Sequence, residues 1–272
     1  MKNFKLFAII LAATAIFSSC KKNDTAPEAQ LVKEIMVSLA AANENPQPTG
    51  RTERGMAMIK IYNDNSIMVD ASITGFASTD NLTLAHIHAG DPVTNGPVVL
   101  DLMPAFTGSS LKSTVKNVRA SLIDSLKAGT ANLYLNIHST QVGSGIVRGQ
   151  LFNEVTFAAS VALSGANEVP SVTTTATGMA LLRITSDNKL YSRVTVTNLE
   201  STDALSAAHI HSGAAGANGG VLIGICDNAA DFGMSKVFSP STAILNSIKN
   251  DALYVNVHST MRPSGVIRGQ IR

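Results

Sequence analysis

The six histidines of this chain fall into two matching sets of three. Ala85-His86-Ile87-His88-Ala89-Gly90 returns as Ala208-His209-Ile210-His211-Ser212-Gly213, 123 positions later. Each H-x-H pair is followed by a third histidine in a second matched segment. These are His138 in Tyr134-Leu135-Asn136-Ile137-His138 and His258 in Tyr254-Val255-Asn256-Val257-His258. Ala42-Asn43-Glu44-Asn45-Pro46 likewise matches Ala166-Asn167-Glu168-Val169-Pro170, and Ser144-Gly145-Ile146-Val147-Arg148-Gly149-Gln150 matches Ser264-Gly265-Val266-Ile267-Arg268-Gly269-Gln270. The offset drifts only from 124 to 120, so small loop insertions account for it. The fold must therefore be one domain built twice, copy one over 31–152 and copy two over 153–272. A repeat this long is not a solenoid, whose periods lie at about 20–50 residues, and it is ample for a core of its own.

Within each copy the pattern is that of strands. Ile67, Val69, Ala71 and Ile73 alternate with Met68, Asp70, Ser72 and Thr74, and Leu190, Ser192, Val194 and Val196 repeat the scheme. Period two with β-branched residues predicts half-buried strands. Asn63-Asp64-Asn65 and Ser186-Asp187-Asn188 predict hairpin turns, because Asn and Asp tolerate left-handed backbone. Leu122, Ile123 and Leu126 before Gly129, echoed by Ile244, Leu245 and Ile248, predict one helix per copy. The expectation is all-β: two tandem antiparallel β-sandwich or barrel domains, each with seven or eight strands and one short helix.

The segment before copy one reads as an export signal. Lys2 and Lys5 precede an apolar run of 12 residues, Leu6 to Phe17, which is too short to span a bilayer and right for a signal peptide. It ends at Ser18-Ser19-Cys20, which resembles a bacterial lipobox with Cys20 as the lipidated residue. The signal thus covers 1–20, and the polar stretch 21–30 reads as a flexible tether. Its Lys21-Lys22-Asn23-Asp24 start resembles that of Bacteroidetes lipoproteins sent to the outer membrane. The expected location is the cell envelope, lipid-anchored, at the outer membrane.

Charge excludes one class of partner. Without Lys2 and Lys5 the chain balances 19 basic against 19 acidic residues, with no basic run in either copy. No electrostatic footprint for nucleic acid remains, and the absence of Trp removes the strongest stacking platform. With Cys20 lipidated, Cys226 has no partner and reads as a small buried apolar residue.

On a strand His86 and His88 share a face, as do Tyr134, Asn136 and His138. If these strands are neighbours, three imidazoles converge. Two readings are open. In the first, favoured by the sequence, the histidines are buried structural groups joined to Glu44 and Arg148 in one copy and to Glu168 and Arg268 in the other, with each arginine needing a carboxylate partner. In the second, His86, His88 and His138, and His209, His211 and His258, bind zinc or copper through neutral imidazoles. No cofactor is firmly implied.

The order Asn-Glu-x-Pro, Ala-His-Ile-His-x-Gly, Asn-Gly-x-Val, Leu-Tyr-x-Asn-x-His and Arg-Gly-Gln resembles the chordin-type (CHRD) domain, and the resemblance spans both copies. In animals that family is known from chordin, an extracellular protein that binds growth factors. The resemblance implies an extracytoplasmic binding or structural module with a protein or small-ligand partner and no established catalysis. From the residues themselves, Glu44, Asn136, Arg148, Glu168, Asn256 and Arg268 read as a structural or ligand-binding network. Copy one departs at Asn45, where the family has Val as in Val169. A looser resemblance, confined to the H-x-H pairs, is to copper–zinc superoxide dismutase. It implies an oxidoreductase as the alternative, without the zinc-loop ligands or the cysteine pair of that family.

Overall fold

A computed structural model describes residues 28–272, so Cys20, the signal segment 1–20 and most of the 21–30 tether lie outside the described residues. Copy one contributes β1 (Leu31–Ala40), β2 (Arg54–Tyr62), β3 (Ile67–Thr74), β4 (Leu82–Ala89), β5 (Val98–Asp101), β6 (Ala105–Thr107), β7 (Ser110–Val115), helix α1 (Ala120–Ala128), β8 (Leu133–Ser139) and β9 (Val147–Gln150). Copy two contributes β10 (Val155–Ser164), β11 (Thr177–Thr185), β12 (Leu190–Thr197), β13 (Leu205–Ser212), β14 (Val221–Cys226), β15 (Lys236–Phe238), α2 (Thr242–Asn250), β16 (Leu253–Ser259) and β17 (Ile267–Gln270). Every pairing is antiparallel. The sheets run β5-β4-β8-β9-β1-β2-β3-β7-β6 and β14-β13-β16-β17-β10-β11-β12-β15, one a half-barrel and the other a nearly closed barrel. The chain is thus two tandem all-β domains with one α-helix each.

Copy one has nine strands where seven or eight were expected. The surplus lies at the sheet edges, in β5 and β6, which are four and three residues long and too short to show an alternating pattern. The predicted turns form as read, with Asn65 at φ 60 and Asn188 at φ 61. Helix α1 ends at Gly129 with φ 73, where a left-handed residue costs glycine nothing, and buries Leu122, Ile123 and Leu126.

Each copy closes over its own core. Ile35, Ile59, Val69, Ile87 and Leu135 meet in copy one, and Val161, Leu182, Val194, Ile210 and Val255 in copy two. Ile87 has no exposed surface, so Ile87→Ala would cost about 2–5 kcal/mol through lost burial and the cavity left behind.

Strand β3 keeps the strict alternation of a sheet with one wet face. Its counterpart β12 does not, because Tyr191 and Ser192 are both buried. The cause is the other domain. The outer face of β11 and β12 is covered by copy one, with Val93 fully buried against Leu181 and Tyr191.

Candidate functional site

Strands β4 and β8 are neighbours, with His86 opposite Asn136 and His88 opposite Tyr134. Ile87, Leu135 and Ile137 face the core, which leaves His86, His88, Tyr134, Asn136 and His138 on the other side. The second copy repeats this register, pairing His209 with Asn256 and His211 with Tyr254. In each triplet one nitrogen per ring comes within 4.8 Å of the others, and among the described residues these are the two such clusters.

Backbone carbonyls fix which nitrogen of two rings carries the proton. His88 Nδ1 lies 2.9 Å from Gly96 O and His138 Nδ1 lies 3.0 Å from Gly143 O. A carbonyl only accepts, so each Nδ1 donates and each Nε2 keeps a bare lone pair. His86 Nδ1 lies 3.1 Å from His138 Nε2 and is the donor between them. His88 Nε2 is buried with no partner. Copy two has the same bonds: His211 to Gly219 O at 3.0 Å, His258 to Pro263 O at 2.9 Å and His209 to His258 Nε2 at 3.0 Å. His211 Nε2 is again buried and unpartnered. Burial pushes the pKa of His88, His138, His209 and His258 below the usual imidazole value. These rings are held neutral.

The carbonyls come from two loops that the sequence shapes for closeness. Gly96 packs against Ala89 O so tightly that any side chain would strike it. Gly145 takes φ 132, and a Cβ there would collide with Asn136 Oδ1 and Glu44 Oε1. The loop after the third histidine is tied from below by Asp80, which accepts from Ser139 Oγ at 2.8 Å, Thr140 Oγ1 at 2.8 Å and Gln141 N at 3.0 Å. Asp203 does the same for Ser259, Thr260 and Met261. The sequence reading missed both aspartates. Their signal was present, since each stands six residues before its H-x-H pair and meets the Ser-Thr that follows the third histidine.

The expected glutamate–histidine–arginine network does not form. Arg148 is 1% exposed, yet it takes no carboxylate partner. It donates to Asp91 O at 2.6 Å, Thr94 O at 3.0 Å and Asn95 Oδ1 at 3.0 Å, and its guanidinium lies 3.5 Å over the Tyr134 ring. Arg268 donates to Ala214 O, Ala217 O and Asn218 Oδ1 and lies 3.4 Å over Tyr254. Carbonyls at a loop's turn satisfy a buried fork without the cost of burying an anion beside it. Glu44 instead meets Asn136 Nδ2 at 3.4 Å, and burial pushes its pKa up to about 8. Glu168 is pushed up to about 7 by the same cause, while Asn256 Nδ2 turns to Ser264 O at 3.3 Å. Cys226 is buried and free, as a small apolar residue would be.

The CHRD domain family matches the chain twice, over residues 35–151 and 159–271. No curated protein and no solved structure matches it.

Proposed function

Because the chain belongs to the CHRD domain family and carries that domain in tandem, we propose that it works as a binding module of the cell envelope, with each histidine triplet taking one zinc or copper ion. One observation carries the metal reading. In both copies a backbone carbonyl holds Nδ1 of the second histidine and leaves its Nε2 buried and unpartnered beside two other imidazoles. A buried acceptor without a donor costs about 1–3 kcal/mol, and here it recurs at matched positions. Carbonyl bonds to the far nitrogen are the usual way of orienting a metal-bound imidazole.

The spacing agrees. Ligands at about 2.0–2.1 Å in tetrahedral array stand about 3.3 Å apart, close to the 3.1 Å and 3.0 Å between paired nitrogens in the two copies. Metal at that place would displace the proton between His86 and His138. The His86 proton would move to Nε2, which faces Asp101 Oδ1 at 4.0 Å. Three imidazoles leave a further position for water or for a donor from a partner. The carbonyl bonds also tie loops to the sheet, so the rings brace the fold whether or not metal is bound. The readings differ in what His88 Nε2 and His211 Nε2 do.

The anchor is part of the same proposal. Lipid on Cys20 would hold both domains at a membrane, with residues 21–30 as the tether, and outer-membrane placement follows the resemblance of the segment after Cys20. The full chain, stripped of metal, incubated with zinc or copper and desalted, is expected to retain two ions on elemental analysis. Retention of none would refute the metal reading.

A further inference from the structure

The two histidine clusters match in their own residues but not in what holds them. Arg183 on β11 is fully buried between the domains. It reaches out of copy two to donate to Glu44 O at 2.8 Å and Asn45 Oδ1 at 3.0 Å in copy one. Asn45 then uses two further polar atoms on the loop that carries Gly96. Its Nδ2 donates to Pro92 O at 3.0 Å, and its backbone O accepts from Asn95 Nδ2 at 2.6 Å. The next residue along that loop, Gly96, presents the carbonyl that fixes His88.

Copy two has no such strut. Val169 replaces Asn45, so only the backbone bond from Asn218 Nδ2 at 2.7 Å remains. Gly216 stands where Val93 plugs the domain junction, and the residue of copy one aligned with Arg183 is Lys60, which pairs with Glu34 at the surface. The departure of copy one from its twin at Asn45 thus has a structural partner in Arg183.

We propose that copy two positions the first histidine cluster: Arg183, acting through Asn45, holds the 91–96 loop and with it the Gly96 carbonyl that orients His88. The first cluster is then preorganised by its neighbour, and the second stands alone. The consequence for ion affinity rests on the metal reading above; the positioning itself does not.

The test uses the full chain, metal-free, with nitrogen-15 NMR of the histidine rings. His211 serves as the internal control. Two variants are made, Arg183→Met, which keeps bulk without the fork, and Asn45→Val, which installs the residue copy two already carries. In each, the His88 Nδ1 proton is expected to exchange with solvent about tenfold faster, with His211 unchanged, because the local opening of one loop is eased. If His88 exchange stays at its original rate in either folded variant, or if His88 and His211 loosen together, the proposal fails. Zinc titration supplies a second readout, with affinity of the first cluster expected to fall about tenfold and that of the second to hold. Zinc that binds neither cluster of the parent chain sinks the metal reading alone, and proton exchange still decides the positioning.

Discussion

Arg148 lays its guanidinium 3.5 Å over the ring of Tyr134, and strand β8 places that ring between β9, which bears Arg148, and β4, which bears His88. His88 stacks on the same tyrosine at 4.9 Å with 9° between planes. Copy two repeats the stack with Arg268, Tyr254 and His211. The arginine therefore reaches the histidine through an aromatic ring rather than through a carboxylate.

That arrangement makes lysine a poor substitute. Arg148→Lys keeps the charge but loses the planar stack and the fork that serves Asp91 O, Thr94 O and Asn95. Copy one is expected to lose about 2–4 kcal/mol, since bonds from a buried charge are each worth about 1.5–3 kcal/mol. Urea unfolding of the variant against the parent measures this; an unchanged midpoint would show that the stack contributes nothing.

Glu44 gives stability an unusual pH dependence. Its pKa rises on folding from 4.5 to about 8, so the folded chain keeps a proton that the unfolded chain has lost. Unfolding releases that proton, and stability falls as pH climbs from about 4.5 to about 8. Histidines with lowered pKa act in the opposite sense below about 6.5, which leaves pH 7 to 8 as the clear window. Unfolding midpoints of metal-free protein should drop across it. Glu44→Gln should shrink the drop, and adding Glu168→Gln should flatten it. A midpoint that rises across the window in the parent chain contradicts the assignment.

Each half should fold alone. The two cores are separate, and what joins them is the small cluster of Val93, Leu181 and Tyr191 with the bonds from Arg183 to Glu44 O and Asn45 Oδ1. Residues 31–152 and 153–272, expressed singly, are each expected to unfold cooperatively on heating. The second should be the less stable relative to its state in the full chain, because parting exposes Leu181 and Tyr191 and leaves Arg183 without Asn45. Failure of both halves to fold would mean that the junction is part of a single core.

Anchoring is tested at Cys20. The full chain should partition with membranes, and Cys20→Ala should move it to the soluble fraction or stop its processing. A parent chain found free and unmodified would rule the anchor out.

Much of this architecture was legible in residue order. Period-two alternation gave the strands, Asn65 and Asn188 marked the turns, and the H-x-H spacing with a third histidine on Tyr-x-Asn-x-His put all three rings on one face. What stayed hidden depended on loops and on the neighbouring domain. Strand pattern says which face His88 takes, but only the folded 91–96 loop brings Gly96 O to its Nδ1. Arg148 read as a charge in need of an anion, because sequence does not display the carbonyls that a turn gathers around it. Arg183 carries no signal in residue order, since nothing local announces that another domain covers that face.

The central claim is that the two triplets are metal sites, and isothermal titration of the metal-free full chain with zinc tests it most directly. The parent should bind two ions, His88→Ala and His211→Ala one each, and the double variant none. A parent that takes up no zinc, or a double variant that still binds two ions, would contradict it.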